Sequence, residues 1–224
     1  AGCNDAGDGA VGATGTGVPE ATATFEGAYV RRVVELAPEG SCLFAANSMS
    51  IRALDTFLLK SDKRLAVLCN RGLNGIDGTV STAFGSGQRF AQTTLITGDL
   101  TLLHDLNALA LQRELRVQRD QAVARGEREC APSIVIVLLN NNGGGIFDML
   151  PQRSDEAYFE RLFLTPQEVD FQAAARAFSV PYCRAETVAA FDEAYRAALG
   201  VPGISLIEVR VPLRGLKERY APCW

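Results

Sequence analysis

The sequence is poor in histidine and has no closely spaced cysteines. It contains one histidine, His104, and six cysteines, with no C-x-x-C pair among them. Zinc sites are usually built from four Cys or His ligands at short spacings, so no zinc site is expected. We expect reduced, mostly buried thiols instead, as in proteins of a reducing compartment.

Long apolar runs and an excess of basic residues are also missing. No stretch of about 18 apolar residues is present, which is the length that a membrane-spanning helix needs. The 22 Lys and Arg residues are outnumbered by 26 Asp and Glu residues, which gives a formal charge of -4. Such a chain has no positive field to attract a phosphate backbone. We therefore expect neither a membrane nor a nucleic acid as partner.

The amino-terminal segment differs in composition from the rest. The chain begins at Ala1 without a methionine, and residues 1–24 are small and polar, without the apolar core of a signal peptide. We interpret the chain as a fragment or processed product in which residues 1–24 form a disordered linker. Residues 25–224, rich in hydrophobic side chains, then form one domain with one core.

Beyond residue 24, short apolar runs alternate with amphipathic stretches. The apolar runs do not alternate with polar residues, which is typical of strands buried on both faces. This order predicts an α/β fold, a doubly wound and mostly parallel six-stranded sheet with helices on both faces. The predicted strands are 41–46, 64–69, 93–98, 133–139, 181–185 and 204–211, and the predicted helices are 48–59, 75–87, 101–116, 166–178 and 187–199.

Polar and glycine-rich loops follow the first four predicted strands, at 47–48, 70–72, 98–100 and 140–145. The carboxyl ends of parallel strands share one edge of a sheet, and ligands of such folds bind there. Carboxylate and amide oxygens suit Mg²⁺, and the backbone N–H groups of helix N-termini suit an anion. The loops therefore predict a site for a diphosphate and a metal ion, with Asp99 and one asparagine of the fourth loop as metal ligands.

Four sequence blocks carry a resemblance to a known family. GDL at 98–100 and NNNGGGIF at 140–147 resemble the two ends of the thiamine diphosphate fingerprint. Together with NSMSIRALD at 47–55 and NRGLNGIDGTVSTAFG at 70–85, they resemble the carboxy-terminal, diphosphate-binding domain of one enzyme family. That family is the 2-succinyl-5-enolpyruvyl-6-hydroxy-3-cyclohexene-1-carboxylate synthases of menaquinone and phylloquinone biosynthesis. The resemblance covers about residues 40–210.

The resemblance implies roles for individual residues. Mg²⁺ or Mn²⁺ would be held by Asp99, Asn141 and the carbonyl of Gly143. Ile76 would be the apolar wedge that bends the cofactor into its reactive shape. The implied cofactor-binding set is Asn47, Ser48, Ile76, Gly98, Asp99, Leu100, Thr101, Asn141, Gly143 and Gly144. The implied substrate and catalytic set is Arg52, Arg71, Ile76, Ile146, Phe147 and Leu150, and His104 receives no role.

The family's activity is decarboxylation of 2-oxoglutarate followed by addition of the succinyl unit to isochorismate. Both substrates are polyanions, so arginines are the expected recognition groups. The resemblance also implies a pyrimidine-binding domain with a catalytic glutamate, on the missing part of the chain or on a second subunit. We expect this chain alone to be inactive and the complete enzyme to be a homo-oligomer. It would lie in the cytoplasm of a bacterium or in the plastid of an alga or plant.

Three alternatives stay open at this point. The domain could belong to another thiamine diphosphate enzyme, such as an acetolactate synthase or a 2-oxo-acid decarboxylase. It could instead be a non-catalytic nucleotide-binding module on the same α/β frame, since a fold alone does not determine function. In addition, Arg52 could be only a surface residue paired with Asp55, because the three-residue spacing of the two is one at which helix ion pairs form.

The spacing between the two metal-ligand motifs departs from the family pattern. Asp99 and Asn141 are 42 residues apart, and the family usually has fewer than thirty. The excess falls in a charged stretch at 113–130, which we expect to lengthen a helix or to form a surface loop.

Overall fold

A computed structural model of the chain describes residues 25–58, 60, 62–126 and 132–223, so the proposed linker at 1–24 lies outside the described residues. Six strands form one sheet in the order β2-β1-β3-β4-β6-β5, and every pairing is parallel. The predicted six-stranded parallel sheet is confirmed. The strands are β1 (Cys42–Ala45), β2 (Ala66–Cys69), β3 (Gln92–Gly98), β4 (Ser133–Asn140), β5 (Tyr182–Ala185) and β6 (Gly203–Arg210).

Helices cover both faces of this sheet. The α-helices are α1 (Glu26–Leu36), α2 (Met49–Phe57), α3 (Thr79–Ser86), α4 (Asp99–His104), α5 (Leu111–Ala124), α6 (Glu156–Phe159), α7 (Phe171–Ala177), α8 (Val188–Ala198) and α9 (Leu216–Tyr220). Short 3-10 helices occupy Leu106–Ala110, Gly145–Met149, Pro151–Ser154 and Ala221–Cys223, and Glu160–Leu164 is one turn of π-helix. None of the helices within the described ranges is long and apolar enough to cross a membrane.

The two faces of the sheet bury two separate hydrophobic clusters. Alternate residues of each central strand enter alternate clusters, because successive side chains of a strand point to opposite faces. On β4, for example, Val135 and Val137 join one cluster, whereas Ile134 and Ile136 join the other. Helices α1, α2 and α8 cover the first face, and α3, α4, α5 and α7 cover the second. The predicted doubly wound arrangement is thus present.

Helix α1 was not among the predicted helices. Four of its side chains, Tyr29, Val30, Val33 and Val34, are buried at helical spacing in the first cluster. The helix packs against α2 and α8. Its amphipathic pattern is visible in the sequence, and it brings a charged residue, Glu26, into the interior at its first position.

The charged insertion mainly lengthens a helix. Helix α5 continues to Ala124, and the last residues of the insertion, 127–130, lie outside the described residues. Leu115 and Ala122 of this helix are buried, and the Gln112 side chain accepts a hydrogen bond from the amide of Ile204 at 2.7 Å. The helix is therefore docked on the sheet, away from the carboxyl ends of the strands.

The strand order determines where a ligand crevice forms. From β1 the chain moves outward to β2 and then returns to β3 on the opposite side of β1. The connections that leave β1 and β3 therefore run in opposite directions along the sheet. A crevice opens between the carboxyl ends of these two strands. Asn47 and Ser48 follow β1, and Asp99 follows β3.

Candidate cofactor site

A cavity of about 220 Å³ lies at this switch point. Its walls are formed by the segments that follow β1, β3 and β4. Twelve of the fifteen residues singled out from the sequence line it: Asn47, Ser48, Ile76, Gly98, Asp99, Leu100, Thr101, Asn141, Gly143, Gly144, Ile146 and Phe147.

The other three residues lie outside the cavity wall. Arg71 donates from Nη1 to Asn47 Oδ1 at 2.8 Å, so one hydrogen bond separates it from the cavity. Arg52 is exposed and donates from Nη1 to the carbonyl of Ser48 at 2.8 Å, and no ion pair with Asp55 occurs in the described structure. Leu150 is 40% exposed. Both arginines are thus attached to the segment that follows β1.

The cavity has six lining residues that sequence reasoning missed: Glu26, Met49, Ser50, Leu139, Gly145 and Val211. Four of them directly adjoin the predicted segments, so a wider window around the motifs would have included them. Val211 follows β6, another strand end that points to the same edge. Nothing in the local sequence places Glu26 there, because its position depends on the packing of α1.

Asp99 is buried, with 6% of its surface exposed. One carboxylate oxygen accepts from the amide of Leu100 at 2.9 Å, and the other from the amide of Gly143 at 2.7 Å. Burial raises the pKa of Asp99 to about 6, although these backbone N–H groups act in the opposite direction. No Lys, Arg or His side chain within the described ranges pairs with this carboxylate, so it is a buried acid that lacks a counter-ion.

The three asparagines after β4 have different surroundings. Asn140 donates to Glu208 at 2.8 Å within the sheet, and Asn142 accepts from the amides of Gln167 and Glu168 in a neighbouring loop. Only Asn141 of the three lines the cavity. Asn140 and Asn142 therefore fix the loop, and Asn141 is the one that can meet a ligand.

The glycines of the same loop are required by a close approach of two backbone segments. Gly143 has φ +149°, and a Cβ atom there would lie 2.2 Å from the carbonyl oxygen of Leu164. The amide of Gly144 donates to that same oxygen at 2.7 Å. A side chain at Gly143 would push apart the loop and the π-helical turn, so the run of glycines after the buried strand allows this contact.

The oxygens of Asp99 and Asn141 meet at one point. Both accept from the amide of Gly143, at 2.7 and 3.2 Å. No cluster of three or more His, Cys, Asp or Glu side chains is found in the part of the chain that the structure describes. A cation at this point would therefore depend on one carboxylate, one amide oxygen, a carbonyl and oxygens of its ligand. That donor set fits Mg²⁺, which prefers oxygen ligands and commonly shares its shell with phosphates.

The segment after β1 can receive an anion. Ser48 is the N-cap of α2, with φ +64°, and its side chain makes no capping hydrogen bond. The first N–H groups of a helix have no partner within the helix, and the helix dipole favours negative charge there. Thr101, buried in α4, lines the same cavity. The cavity thus combines groups that suit a cation with groups that suit an anion.

Comparisons with known proteins agree with this geometry. Residues 121–209 match the family model of the thiamine pyrophosphate enzyme, C-terminal TPP binding domain. A 2-succinyl-5-enolpyruvyl-6-hydroxy-3-cyclohexene-1-carboxylate synthase of Bacillus velezensis is 42% identical over 189 residues, which are 84% of this chain and 30% of the relative. A synthase of the same name from Desulfitobacterium hafniense is 41% identical over 196 residues, 88% of this chain and 33% of the relative.

The chain belongs to this synthase family. The resemblance of the four sequence blocks is confirmed, and so is a thiamine diphosphate-binding domain. The chain spans about a third of the length of the synthases that it matches.

Solved structures agree with the fold of this synthase domain. The crystal structure of benzoylformate decarboxylase from Polynucleobacter necessarius superposes with a TM-score of 0.63 at 17% sequence identity, covering 88% of this chain and 35% of that one. At such low identity the likeness supports the fold alone. The nucleotide-binding module considered above is not favoured by any of these findings.

Proposed function

We infer that this chain supplies the diphosphate- and metal-binding domain of a thiamine diphosphate-dependent synthase. The complete enzyme would decarboxylate 2-oxoglutarate and add the succinyl unit to isochorismate. The observation that carries the proposal is the convergence of Asp99 and Asn141 on the Gly143 amide inside the cavity. Identity above 40% to two synthases supports the choice of reaction.

The metal site in this proposal uses groups from two strand ends. Asp99, Asn141 Oδ1 and the Gly143 carbonyl would hold Mg²⁺, or Mn²⁺ in its place. The cation would supply the positive charge that the buried Asp99 carboxylate lacks, which offsets the cost of burying that charge. It would also join the loop after β3 to the loop after β4, so the site would become more rigid when loaded.

The remaining cavity residues would orient the cofactor. Ser48 and the N-terminus of α2 would bind the diphosphate, together with Leu100 and Thr101. Ile76, held on the loop between β2 and α3, would press against the middle of the cofactor. When bound, thiamine diphosphate supplies an electron sink for the carbanion that loss of CO₂ from a 2-oxo acid produces.

Substrate recognition would depend on the two arginines at the cavity rim. Arg71 is attached to the cavity wall by its hydrogen bond to Asn47, and Asn47 in turn donates to the carbonyl of Gly75 at 2.6 Å. Arg71 would thus be held beside the loop that carries Ile76. A guanidinium can bind a carboxylate through two parallel hydrogen bonds, which suits polyanionic substrates. Ile146 and Phe147 would form the apolar side of the substrate space, with Arg52 and Leu150 farther out.

The complete enzyme would need partners that this chain does not contain. The proposal includes a pyrimidine-binding domain with a catalytic glutamate, from another part of the polypeptide or from a second subunit, and a homo-oligomeric assembly. It includes no nucleic acid and no membrane. The compartment would be the bacterial cytoplasm or, in an alga or plant, the plastid.

The test uses a complete enzyme that contains this domain, purified without cofactor. With Mg²⁺ and thiamine diphosphate restored, we expect CO₂ release from 2-oxoglutarate and consumption of isochorismate in equal amounts. Omission of either the metal or the cofactor should abolish both. A preference for pyruvate, with no use of isochorismate, would favour an acetolactate synthase or a 2-oxo-acid decarboxylase instead.

A further inference from the structure

Glu26 is a buried acid in the wall of the cofactor cavity. It is the first residue of α1, only 3% of its surface is exposed, and it lines the cavity together with residues 47–50. Glutamate is rarely buried to this extent unless a charged partner accompanies it. No salt bridge to Glu26 occurs within the described residues, so its burial needs another explanation.

Burial, rather than the polar groups around Glu26, favours a neutral carboxyl. The hydroxyl of Tyr220 donates to Glu26 Oε1 at 3.2 Å, and the rings of Phe25 and Phe57 pack edge to face around this contact. Arg219, next to Tyr220 on α9, is the charged group that acts on Glu26. Burial raises the pKa of Glu26 to about 7, and the smaller effects of Tyr220 and Arg219 act in the opposite direction. Near neutral pH a large share of the carboxyl groups is therefore protonated.

The neighbouring wall of the cavity is the part suited to an anion. It contains Ser48, whose hydroxyl makes no capping bond, and the first residues of α2. A charged carboxylate beside a bound diphosphate would repel it, whereas a protonated carboxyl would donate a hydrogen bond to it. Hydrogen bonds to charged acceptors are among the strong ones in proteins.

We propose that Glu26 is a further binding residue of this cavity, whose protonated carboxyl donates a hydrogen bond to the diphosphate of the cofactor while Tyr220 fixes its orientation. The proposal rests on the proposed function, since it needs the diphosphate in this cavity. It has a consequence that a purely structural role would not have. Binding of the diphosphate must be accompanied by uptake of part of a proton whenever free Glu26 is partly ionised.

If Glu26 were ionised in the complex, the proton change on binding would have the opposite sign. If ionised Glu26 instead neutralised the positive thiazolium ring, binding would release a proton and strengthen as the pH rises. The two halves of the cofactor separate these cases. Magnesium pyrophosphate contains the diphosphate without the thiazolium ring, whereas thiamine diphosphate contains both.

The experiment measures the affinity of the chain for magnesium pyrophosphate and for thiamine diphosphate with Mg²⁺ by calorimetry at pH 7.0 and 8.5. Glu26→Gln is the test variant, because its amide is a neutral donor at both pH values. Asp105→Asn is the control, since Asp105 is also a buried acid, with 9% exposed, but does not line this cavity. The titration of the diphosphate itself is common to all three proteins and cancels in the comparison.

As the pH rises from 7.0 to 8.5, we expect the affinity of the parent chain and of Asp105→Asn to fall by about tenfold more than the affinity of Glu26→Gln. This factor follows from a pKa of about 7, which leaves only a few per cent of Glu26 protonated at pH 8.5. Tyr220→Phe should weaken pyrophosphate binding by about threefold to tenfold at pH 7.0, because the carboxyl loses its orienting hydroxyl. Equal pH dependence in the parent and Glu26→Gln would overturn the proposal, and so would binding that strengthens with pH in the parent alone.

A measurement on the parent chain alone covers the case in which Glu26→Gln does not fold. Calorimetry in two buffers of different ionisation enthalpy gives the number of protons taken up on binding. At pH 7.5 we expect the parent to take up more protons than the ionisation of magnesium pyrophosphate itself accounts for. The absence of such an excess would overturn the proposal. If neither ligand binds to any variant, the proposed function itself fails, which is a different result from binding that is indifferent to Glu26.

Discussion

Replacing Gly143 by alanine should damage both the fold and the site. An alanine Cβ would lie 2.2 Å from the Leu164 carbonyl oxygen, and φ at this residue is +149°. Relief of the overlap requires the loop to move, which breaks the hydrogen bond from the Gly143 amide to Asp99. A strained backbone costs about 1–2 kcal/mol, and a hydrogen bond to a charged group contributes about 1.5–3 kcal/mol. We therefore expect a loss of roughly 3–5 kcal/mol in the free energy of unfolding.

The assay combines thermal denaturation with cofactor binding. For a domain of this size, the loss corresponds to a fall in Tm of about 6–20 °C. The affinity for thiamine diphosphate with Mg²⁺ should fall by at least about tenfold, because the Gly143 carbonyl moves with the loop. Gly85→Ala is the control, since a Cβ at this helical position meets nothing within 4 Å, and it should be neutral or slightly stabilising. The reasoning is refuted if Gly143→Ala behaves like Gly85→Ala in both measurements.

Three other predictions concern charged residues. Asp99→Asn should abolish the Mg²⁺-dependent rise in Tm. The free energy of unfolding without metal should change by no more than about 1–3 kcal/mol, because one backbone N–H loses its acceptor while a buried charge is removed. An unchanged effect of Mg²⁺ on Tm would contradict the assignment of Asp99 as a ligand. Arg71→Ala in a complete enzyme should lower kcat/KM for 2-oxoglutarate by about tenfold to several hundredfold. Arg64→Ala is the control and should not lower it, because the Arg64 side chain is 86% exposed. Equal steady-state kinetics of the two variants would exclude Arg71 from substrate recognition. Because folded Glu26 has a pKa of about 7 against an ordinary value of 4.5, its contribution to stability is full below pH 4.5 and is lost as the pH rises to 7. Denaturant titrations at pH 5, 6, 7 and 8 should show a smaller loss of stability with pH in Glu26→Gln than in the parent, and parallel curves would contradict the buried-acid interpretation.

The sheet was predictable from the sequence because its physical signal is local. Buried parallel strands are nearly continuous apolar runs, and all eight residues of β4 are buried. The loops that follow such strands must share one edge, so the sequence alone groups the cavity residues after β1, β3 and β4. Helix α1 has an equally local signal, but it lies before the region of family resemblance and was left out.

The remaining features depend on contacts between distant parts of the chain. The need for glycine at Gly143 arises from Leu164, which lies on a π-helical turn with no distinct sequence pattern. Glu26 reaches the cavity through the packing of α1 against α2 and α8, and its hydrogen-bond partner Tyr220 is 194 residues away along the chain. Arg71 was predicted to line the site, but its hydrogen bond to Asn47 holds it just outside the cavity wall. Pattern reasoning finds the residues of an edge but not the tertiary contacts that orient them.

The central claim is that Asp99, Asn141 and Gly143 hold the cation of a bound diphosphate. The most direct measurement is the anomalous diffraction of Mn²⁺ in crystals of a complete enzyme that contains this domain, grown with Mn²⁺ and thiamine diphosphate. We expect one strong peak in direct contact, at about 2.0–2.2 Å, with an Asp99 carboxylate oxygen, Asn141 Oδ1, the Gly143 carbonyl and the diphosphate. A bound diphosphate with the Mn²⁺ peak away from these three residues, or with no peak at all, would contradict it.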